Sequence, residues 1–334
     1  PITQTDAEAC YMTNLAYGMK GDNYYVFTGG PNPPNAGETT DLYDYSAPIG
    51  AEGEIRPLYE VQKRTAAFIA GHPWLLEARP VHDCRFLLDL KDARAERYWQ
   101  SIDEVEFTPA DAWQFLKTGL LTTAFCSAMS PIGVDAEAEA WTADTETPLM
   151  VASSARMARA VQMRLIRYLQ NGGRLLIAPT LPTLDEHLDR CTLLADFLGA
   201  GPMAPVAQIH PRVEIGEVAN VLHTDLFAGP RPPARAEILG RERKTRQAIA
   251  WALETPGGGR AVILGMAWTH RKWEQAAVLE FVMDRLDVEP RLALDNPNVW
   301  ATLRTDGSRA MLFLLNLYSA PMETDVRYRP HPGG

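Results

Sequence analysis

Two apolar runs, Leu149-Met-Val-Ala152 and Arg174-Leu-Leu-Ile-Ala178, lie about a helix apart, and this spacing constrains the chain more than any other stretch. Parallel neighbours in a sheet need a crossover of a dozen or more residues, usually helical, whereas an antiparallel pair can close through a tight turn. The intervening Ser153–Asn171 fits the helical crossover. Met157, Val161, Leu165, Ile166 and Leu169 recur at i, i+4, i+8, i+9 and i+12, and Gly172-Gly173 ends the pattern. Similar grammar surrounds this unit. Cys84 to Leu90 and Leu121 to Phe125 read as strands. Pro109–Gly119 reads as a helix capped by Thr108 with Pro109 at its first position, and Leu184–Leu198 and Trp273–Leu286 read as further helices. Gly257-Gly-Gly reads as a turn leading into a strand that ends at Gly265; no Lys-Ser/Thr follows it and no helix begins there, so it is not a phosphate cradle. Strands alternating with helices at this rhythm predict an α/β fold, with a doubly wound parallel sheet and helices on both faces.

The first 70 residues follow a different plan. Asp6–Met19 carries helical spacing with Thr5 or Asp6 able to cap it. Tyr24–Thr28, aromatic and β-branched without charge, predicts a buried strand that Gly29-Gly30-Pro31 stops. A loop from Gly30 to Gly53 follows, and loops of that length are commonly functional; Tyr43 and Tyr45 in it read as buried. Pro57–Ala70 then returns as a helix.

Asn23-Tyr-Tyr-Val-Phe-Thr-Gly-Gly-Pro-Asn32 and Tyr43-Asp-Tyr-Ser-Ala-Pro-Ile-Gly-Ala-Glu-Gly53 resemble the last barrel strand and following loop of family 35 glycoside hydrolases, the β-galactosidases. Pro31 stands where that family has Thr, and Ser46 where it has a second Asp. The stretch from Leu149 to Ala178 is similar to the flavodoxin-like trimerisation domain found behind the barrel in β-galactosidases of families 42 and 35. Val299–Leu317 reads as a hairpin turning at Asp306-Gly307 and looks like the opening of a β-sandwich that the chain does not complete. The organisation this implies is the last βα portion of a (β/α)8 barrel over residues 1–78, a flavodoxin-like domain over 79–290 and the start of a sandwich over 291–334.

The resemblance implies a retaining hydrolase of terminal β-galactosides that needs no cofactor. Retaining enzymes use two carboxylates about 5 Å apart, and the resemblance places both Glu on barrel strands ahead of Pro1. No catalytic residue is therefore assigned here, the isolated chain is expected to be inactive, and Glu38 and Glu52 read as solvated carboxylates. Tyr25 and Tyr45 match positions where the family contacts galactose. A phenol suits such a contact, because its hydroxyl bonds a sugar OH while its ring covers a C–H face. Asn32 and Asp44 are weaker candidates. The competing readings are a core aromatic for Tyr25 and backbone-bonding turn residues for Asn32 and Asp44. A trimerisation-type domain implies a homo-oligomer, and the rival reading is a non-catalytic oligomerisation or scaffold module.

A net charge of -10 argues against nucleic acid or an anionic membrane as principal partner, since both demand a basic surface. No apolar run approaches the roughly 20 residues that cross a bilayer. Cys10, Cys84, Cys126 and Cys191 are scattered without ligand spacing, which gives neither a metal site nor a disulfide framework. All four read as buried free thiols in a reducing, cytoplasmic setting; a signal peptide upstream of Pro1 would lie outside the sequence. Cys126, placed at a strand end, lacks the Gly-x-Cys-x-Gly elbow of an amidotransferase nucleophile.

Overall fold

The computed structural model describes residues 3–35, 40–88, 119–127, 131–135, 144–207, 211–222, 225–229, 232–268, 273–296 and 298–329. They divide between two compact units, Pro1–Val81 with Asn298–Thr324, and His82–Pro297 with Asp325–Arg329.

In the smaller unit Thr3 caps helix α1 (Gln4–Ala16). Its hydroxyl accepts from Asp6 N while the Asp6 carboxylate accepts from Thr3 N, both at 3.1 Å, a reciprocal capping box. Helix α2 (Pro57–Gly71) starts on a proline whose missing N–H would have no helical partner in any case. Between them the expected buried strand over Tyr24–Thr28 is absent. The segment makes bends and a single parallel bridge from Thr28 to Ile49, and Tyr25 is 90% exposed. A strand needs paired edges, and among the described residues this one finds a partner at one position only.

The hairpin Val299–Thr305/Ala310–Asn316 forms with its turn at Asp306-Gly307, in full register from Val299–Asn316 to Thr305–Ala310. Gly307 takes φ +96°, which suits a residue without Cβ. The Asp306 carboxylate accepts from Ser308 N (2.9 Å) and Arg309 N (2.8 Å). Phe313 and Leu315 from the hairpin, Leu15 and Ala16 from α1, and Leu75 and Ala78 form one buried cluster. Beside it lies Arg304, with no exposed surface. Its guanidinium donates to the carbonyls of Leu15 (2.7 Å), Leu75 (2.5 Å) and Ala78 (2.8 Å). The Leu15 carbonyl also accepts from Gly18 N (3.1 Å) and that of Ala78 from Lys20 Nζ (3.0 Å), so the guanidinium completes two carbonyls and serves that of Leu75, in the last turn of a short helix.

The larger unit holds a nine-stranded sheet. Its strands are β1 (Cys84–Leu88), β2 (Pro131–Asp135), β3 (Leu149–Ala152), β4 (Arg174–Ala178), β5 (Arg212–Ile215), β6 (Val218–Leu222), β7 (Glu237–Glu242), β8 (Ala248–Glu254) and β9 (Arg260–Leu264). The spatial order is β6-β5-β7-β8-β9-β4-β3-β1-β2. The five strands from β2 to β9 across the sheet run parallel, and β8, β7, β5 and β6 extend it in antiparallel fashion. The sheet is therefore mixed where an all-parallel one was expected. β8 and β9 form a hairpin around Gly257-Gly258-Gly259, and that turn rests on the end of helix α4 (Arg159–Gln170). A Cβ on Gly257 would lie 2.0 Å from Gln170 O and one on Gly259 2.1 Å from Leu169 O, so only glycine permits the approach.

Helix α4 buries Val161, Leu165 and Leu169 as its spacing predicts, together with Gln162 and Tyr168. Each fully buried aliphatic is worth about 1.5–3 kcal/mol. The helix begins at Arg159 and not at Ser153, because Ser153 and Ser154 spend their hydroxyls on backbone carbonyls, those of Ala178 and Thr180 and that of Arg156, which favours a turn over a helix. The helix expected over Leu184–Leu198 is confined to α5 (Leu193–Leu198), the preceding residues being folded around Asp185.

Leu121–Phe125 is a helix, α3 (Leu121–Cys126), and not a strand. Leu120 and Ala124 are buried one turn apart, Thr123 Oγ1 donates back to Gly119 O (2.8 Å), and Trp268 Nε1 donates to Thr123 Oγ1 (3.0 Å). A short apolar run is ambiguous by periodicity alone, and tertiary anchoring decides it. The helix expected at Pro109–Gly119 lies outside the described residues apart from its last position. Helix α6 (Trp273–Asp284) matches the expected element, as does β1 as far as Leu88.

Candidate functional site

The loop between α1 and α2 carries all four sequence-predicted contact residues. Gly30-Pro31 pairs antiparallel with Leu42-Tyr43, and Tyr43 lies so close to Gly30 that a Cβ there would sit 2.8 Å from its hydroxyl. Gly29 N donates to Ile49 O (2.8 Å) and Ile49 N to Phe27 O (3.2 Å), which ties the Tyr25 arm to the Tyr45 arm. Beneath the loop, Tyr11 of α1 meets Tyr24 edge-on at 5.4 Å, Tyr24 stacks with Phe27 at 6.5 Å, and Phe27 reaches Tyr59 of α2 at 6.3 Å. Offset and edge-on aromatic pairs of this kind contribute about 0.5–1.5 kcal/mol each beyond area burial. Burial, together with the Asp22 carboxylate and Tyr11, pushes the Tyr24 phenol up from its ordinary value.

Tyr25 and Tyr45 both point to solvent, 90% and 71% exposed. The expectation that Tyr45 is buried is thus corrected. It sits at φ +45° beside Ser46 at φ +57°, in a turn closed by Ala47 N to Asp44 O at 2.7 Å. Left-handed backbone costs a residue with a Cβ roughly 1–2 kcal/mol, so the turn trades stability for an outward phenol. Tyr43 is half-buried.

The two weaker candidates have structural partners. Asn32 N donates to Asp41 O (2.8 Å) and its side-chain amide to Thr40 O (2.5 Å). Asp44 forms an ion pair with Arg56, which also holds Glu54 at 2.6 Å. Those bonds with Arg56 hold the Glu54 carboxyl below the usual range and raise the guanidinium. A carboxylate held ionised in this way is poorly suited to act as a general acid at neutral pH. Arg56 escaped sequence reasoning; the available signal was a lone arginine ahead of the helix-starting Pro57, with acids at 44 and 54.

The larger unit offers no competing nucleophile among its described cysteines. Cys84, Cys126 and Cys191 are buried as expected, whereas Cys10 is exposed, because it lies on the outer side of α1. Desolvation, with Asp83 nearby, pushes the Cys84 thiol well up, away from the reactive thiolate. Cys126 closes a helix and not a strand. Among the described residues no group of three His, Cys, Asp or Glu could hold a metal ion, and no helix is long and apolar enough to cross a membrane. The arrangement can present two phenols on a braced loop to a polyhydroxylated ligand, with the Asp44 and Glu54 carboxylates engaged by Arg56.

Residues 100–227 match the family model described as GLMA-like, second domain. The chain is 30% identical over 283 residues to an exo-β-D-glucosaminidase of Pyrococcus horikoshii, covering 79% of this chain and 34% of that protein. It is 28% identical over 348 aligned positions to an exo-β-D-glucosaminidase of Thermococcus kodakarensis, covering 98% and 42%. The chain thus spans between a third and a half of the length of these curated relatives. A family 42 β-galactosidase from G. stearothermophilus shares the fold with a TM-score of 0.69 at 14% identity, over 93% of this chain and 45% of that one. The β-galactosidase of Rahnella sp. R3 does so with a TM-score of 0.59 at 15% identity, over 81% and 41%. These matches do not single out family 35; the chain has an α/β fold with a mixed sheet, similar to glycosidase structures, and is a relative of glycoside hydrolases.

Proposed function

We propose that this chain supplies the sugar-contacting loop and the scaffold of a retaining exo-acting β-glycosidase, with β-D-glucosaminides as its first substrate class and β-galactosides as the second. The observation that carries this is the loop itself, where Tyr25 and Tyr45 stand exposed on two arms bonded to each other. The relatives favour a glucosaminide, and an ammonium-bearing sugar suits a chain of net charge -10. The tyrosine-bearing motifs favour a galactoside. Residues 1–78 are read as the end of a (β/α)8 barrel, 79–290 as a flavodoxin-like domain and 291–334 as the start of a sandwich. The parallel strands, counted in chain order, lie second, first, third, fourth, fifth across the sheet, an order that supports the flavodoxin-like reading. A homo-oligomer, a cytoplasmic location and cofactor-free hydrolysis complete the proposal.

With Asp44 and Glu54 bound to Arg56, the role assigned to the loop is binding and not bond cleavage, and residues 1–334 alone are proposed to be inactive. In the natural polypeptide, Tyr25→Ala and Tyr45→Ala should each raise KM for a nitrophenyl β-D-glucosaminide by about 5- to 30-fold, the loss of a hydrogen bond and a ring face. The same variants assayed on the galactoside rank the two sugars. Unchanged KM for both substrates in both variants would remove the site, and Glu-dependent turnover by residues 1–334 alone would remove the division of labour.

A further inference from the structure

We infer that Arg56 is a positioning residue for Tyr45, holding through Asp44 the left-handed turn that aims the phenol outward; this rests on the reading of Tyr45 as a sugar contact. The turn Asp44-Tyr45-Ser46-Ala47 has both central residues at positive φ and its ends joined by Ala47 N to Asp44 O, the pattern of a type I′ turn. Such turns are ordinarily written Asn-Gly or Asp-Gly. Tyr-Ser has no intrinsic preference for them, and strained backbone of this kind persists only where its surroundings over-determine it.

Exposure at 71% means that packing does not orient the Tyr45 ring. What surrounds the turn is Arg56, which ties it on both sides. Its guanidinium reaches the Asp44 carboxylate at the first turn residue, and its backbone N donates to Pro48 O (2.9 Å) just beyond the last. The other arm of the fork holds Glu54 at 2.6 Å, Gly50 N donates to Glu54 O (2.8 Å), and Ile49 bridges Ile55, so the strap is closed on itself. Arg56 is also the residue that precedes α2, which fixes the base of the strap to a helix. A planar five-donor fork can serve two carboxylates at once where an ammonium offers a single point charge. The direction of Tyr45 therefore follows from a side chain eleven positions downstream that need not touch the sugar.

The test measures two things on residues 1–334: hydrogen exchange at the Ala47 amide, and the Kd for D-glucosamine and for D-galactose. Arg56→Met should speed Ala47 exchange at least tenfold with the amides of α2 unchanged, and raise Kd about as much as Tyr45→Ala does. Asp44→Asn, a milder change, should move both readouts the same way. Arg56→Lys should fall between. Adding Ser46→Gly to Arg56→Met should restore Kd, because glycine accepts the turn without the clamp; general destabilisation would not be rescued there. Unchanged Ala47 protection in Arg56→Met overturns the clamp. So does lost protection with wild-type Kd while Tyr45→Ala still weakens binding. Wild-type Kd in Tyr45→Ala overturns the sugar reading itself, and the exchange result then identifies which of the two ideas failed.

Discussion

Tyr168 shows how one buried hydroxyl can organise a crossover. Its Oη accepts from Arg174 N (3.1 Å) and lies in donating range of Thr147 O (3.0 Å) and Arg174 O (2.9 Å), so the helix is tied to the strand that follows it. Gly173 makes room, since a Cβ there would lie 2.4 Å from the ring. Burial, which the Arg174 contacts only partly offset, pushes the phenol up to about 12. An unfolded tyrosine titrates near 10, so the unfolded state loses its proton first. The stability from this shift is complete below about pH 10 and is lost as pH rises towards 12. Tyr168→Phe should flatten that alkaline slope in denaturant melts and cost about 1–3 kcal/mol at neutral pH, leaving Arg174 N without its acceptor. Arg304 is a harsher case. Arg304→Met takes a charged donor from three carbonyls and leaves that of Leu75 without its donor, at about 1–3 kcal/mol for the stranded group, and should lower stability by roughly 2 kcal/mol or more by urea titration, with Arg304→Lys recovering part of it.

Among the elements, those with long periodic patterns could be read from the chain: α4 between β3 and β4, α6, and the hairpin at Asp306-Gly307. Their apolar spacing and turn residues agree with the tertiary result. Where the pattern was short, tertiary partners decided: Leu121–Cys126 became helical because Trp268, distant in sequence, bonds Thr123, and Tyr24–Thr28 stayed irregular for want of neighbours. β5, β6, β7 and β8 went unrecognised: β5 and β6 are short, the β5–β6 and β7–β8 pairings are broken by bulges, and β8 is buried almost throughout and so shows no alternation. At the site, the two phenols were visible as a motif, but the positive φ at Tyr45 and the service of Arg56 were not, because both depend on the loop closing. A further property belongs to the strand Ala310–Asn316, which forms one edge of its sheet among the described residues. It has no charge and no proline, and Leu312 and Leu314 are exposed on it, the features that invite edge-to-edge pairing. Leu314→Lys should slow aggregation, followed by light scattering, while shifting stability by no more than about 0.5 kcal/mol.

For the molecule as a whole, the units are threaded differently through the sequence. The larger one is nearly continuous, needing from beyond Pro297 only Asp325–Arg329, whose strand Val326–Tyr328 pairs with Leu292–Leu294. The smaller one is split, with helices near the start and a hairpin near the end. Arg304 makes that split consequential, because the carbonyls of Leu15, Leu75 and Ala78 stay without its guanidinium until the hairpin exists. On a ribosome adding about 5–20 residues per second, the interval between Val81 and Arg304 lasts on the order of 10–45 s. During it the whole central sheet, from Cys84 to Leu264, is synthesised and can form, while α1 and α2 wait with an apolar face uncovered, a window in which a nascent chain depends on chaperones more than its finished stability would suggest.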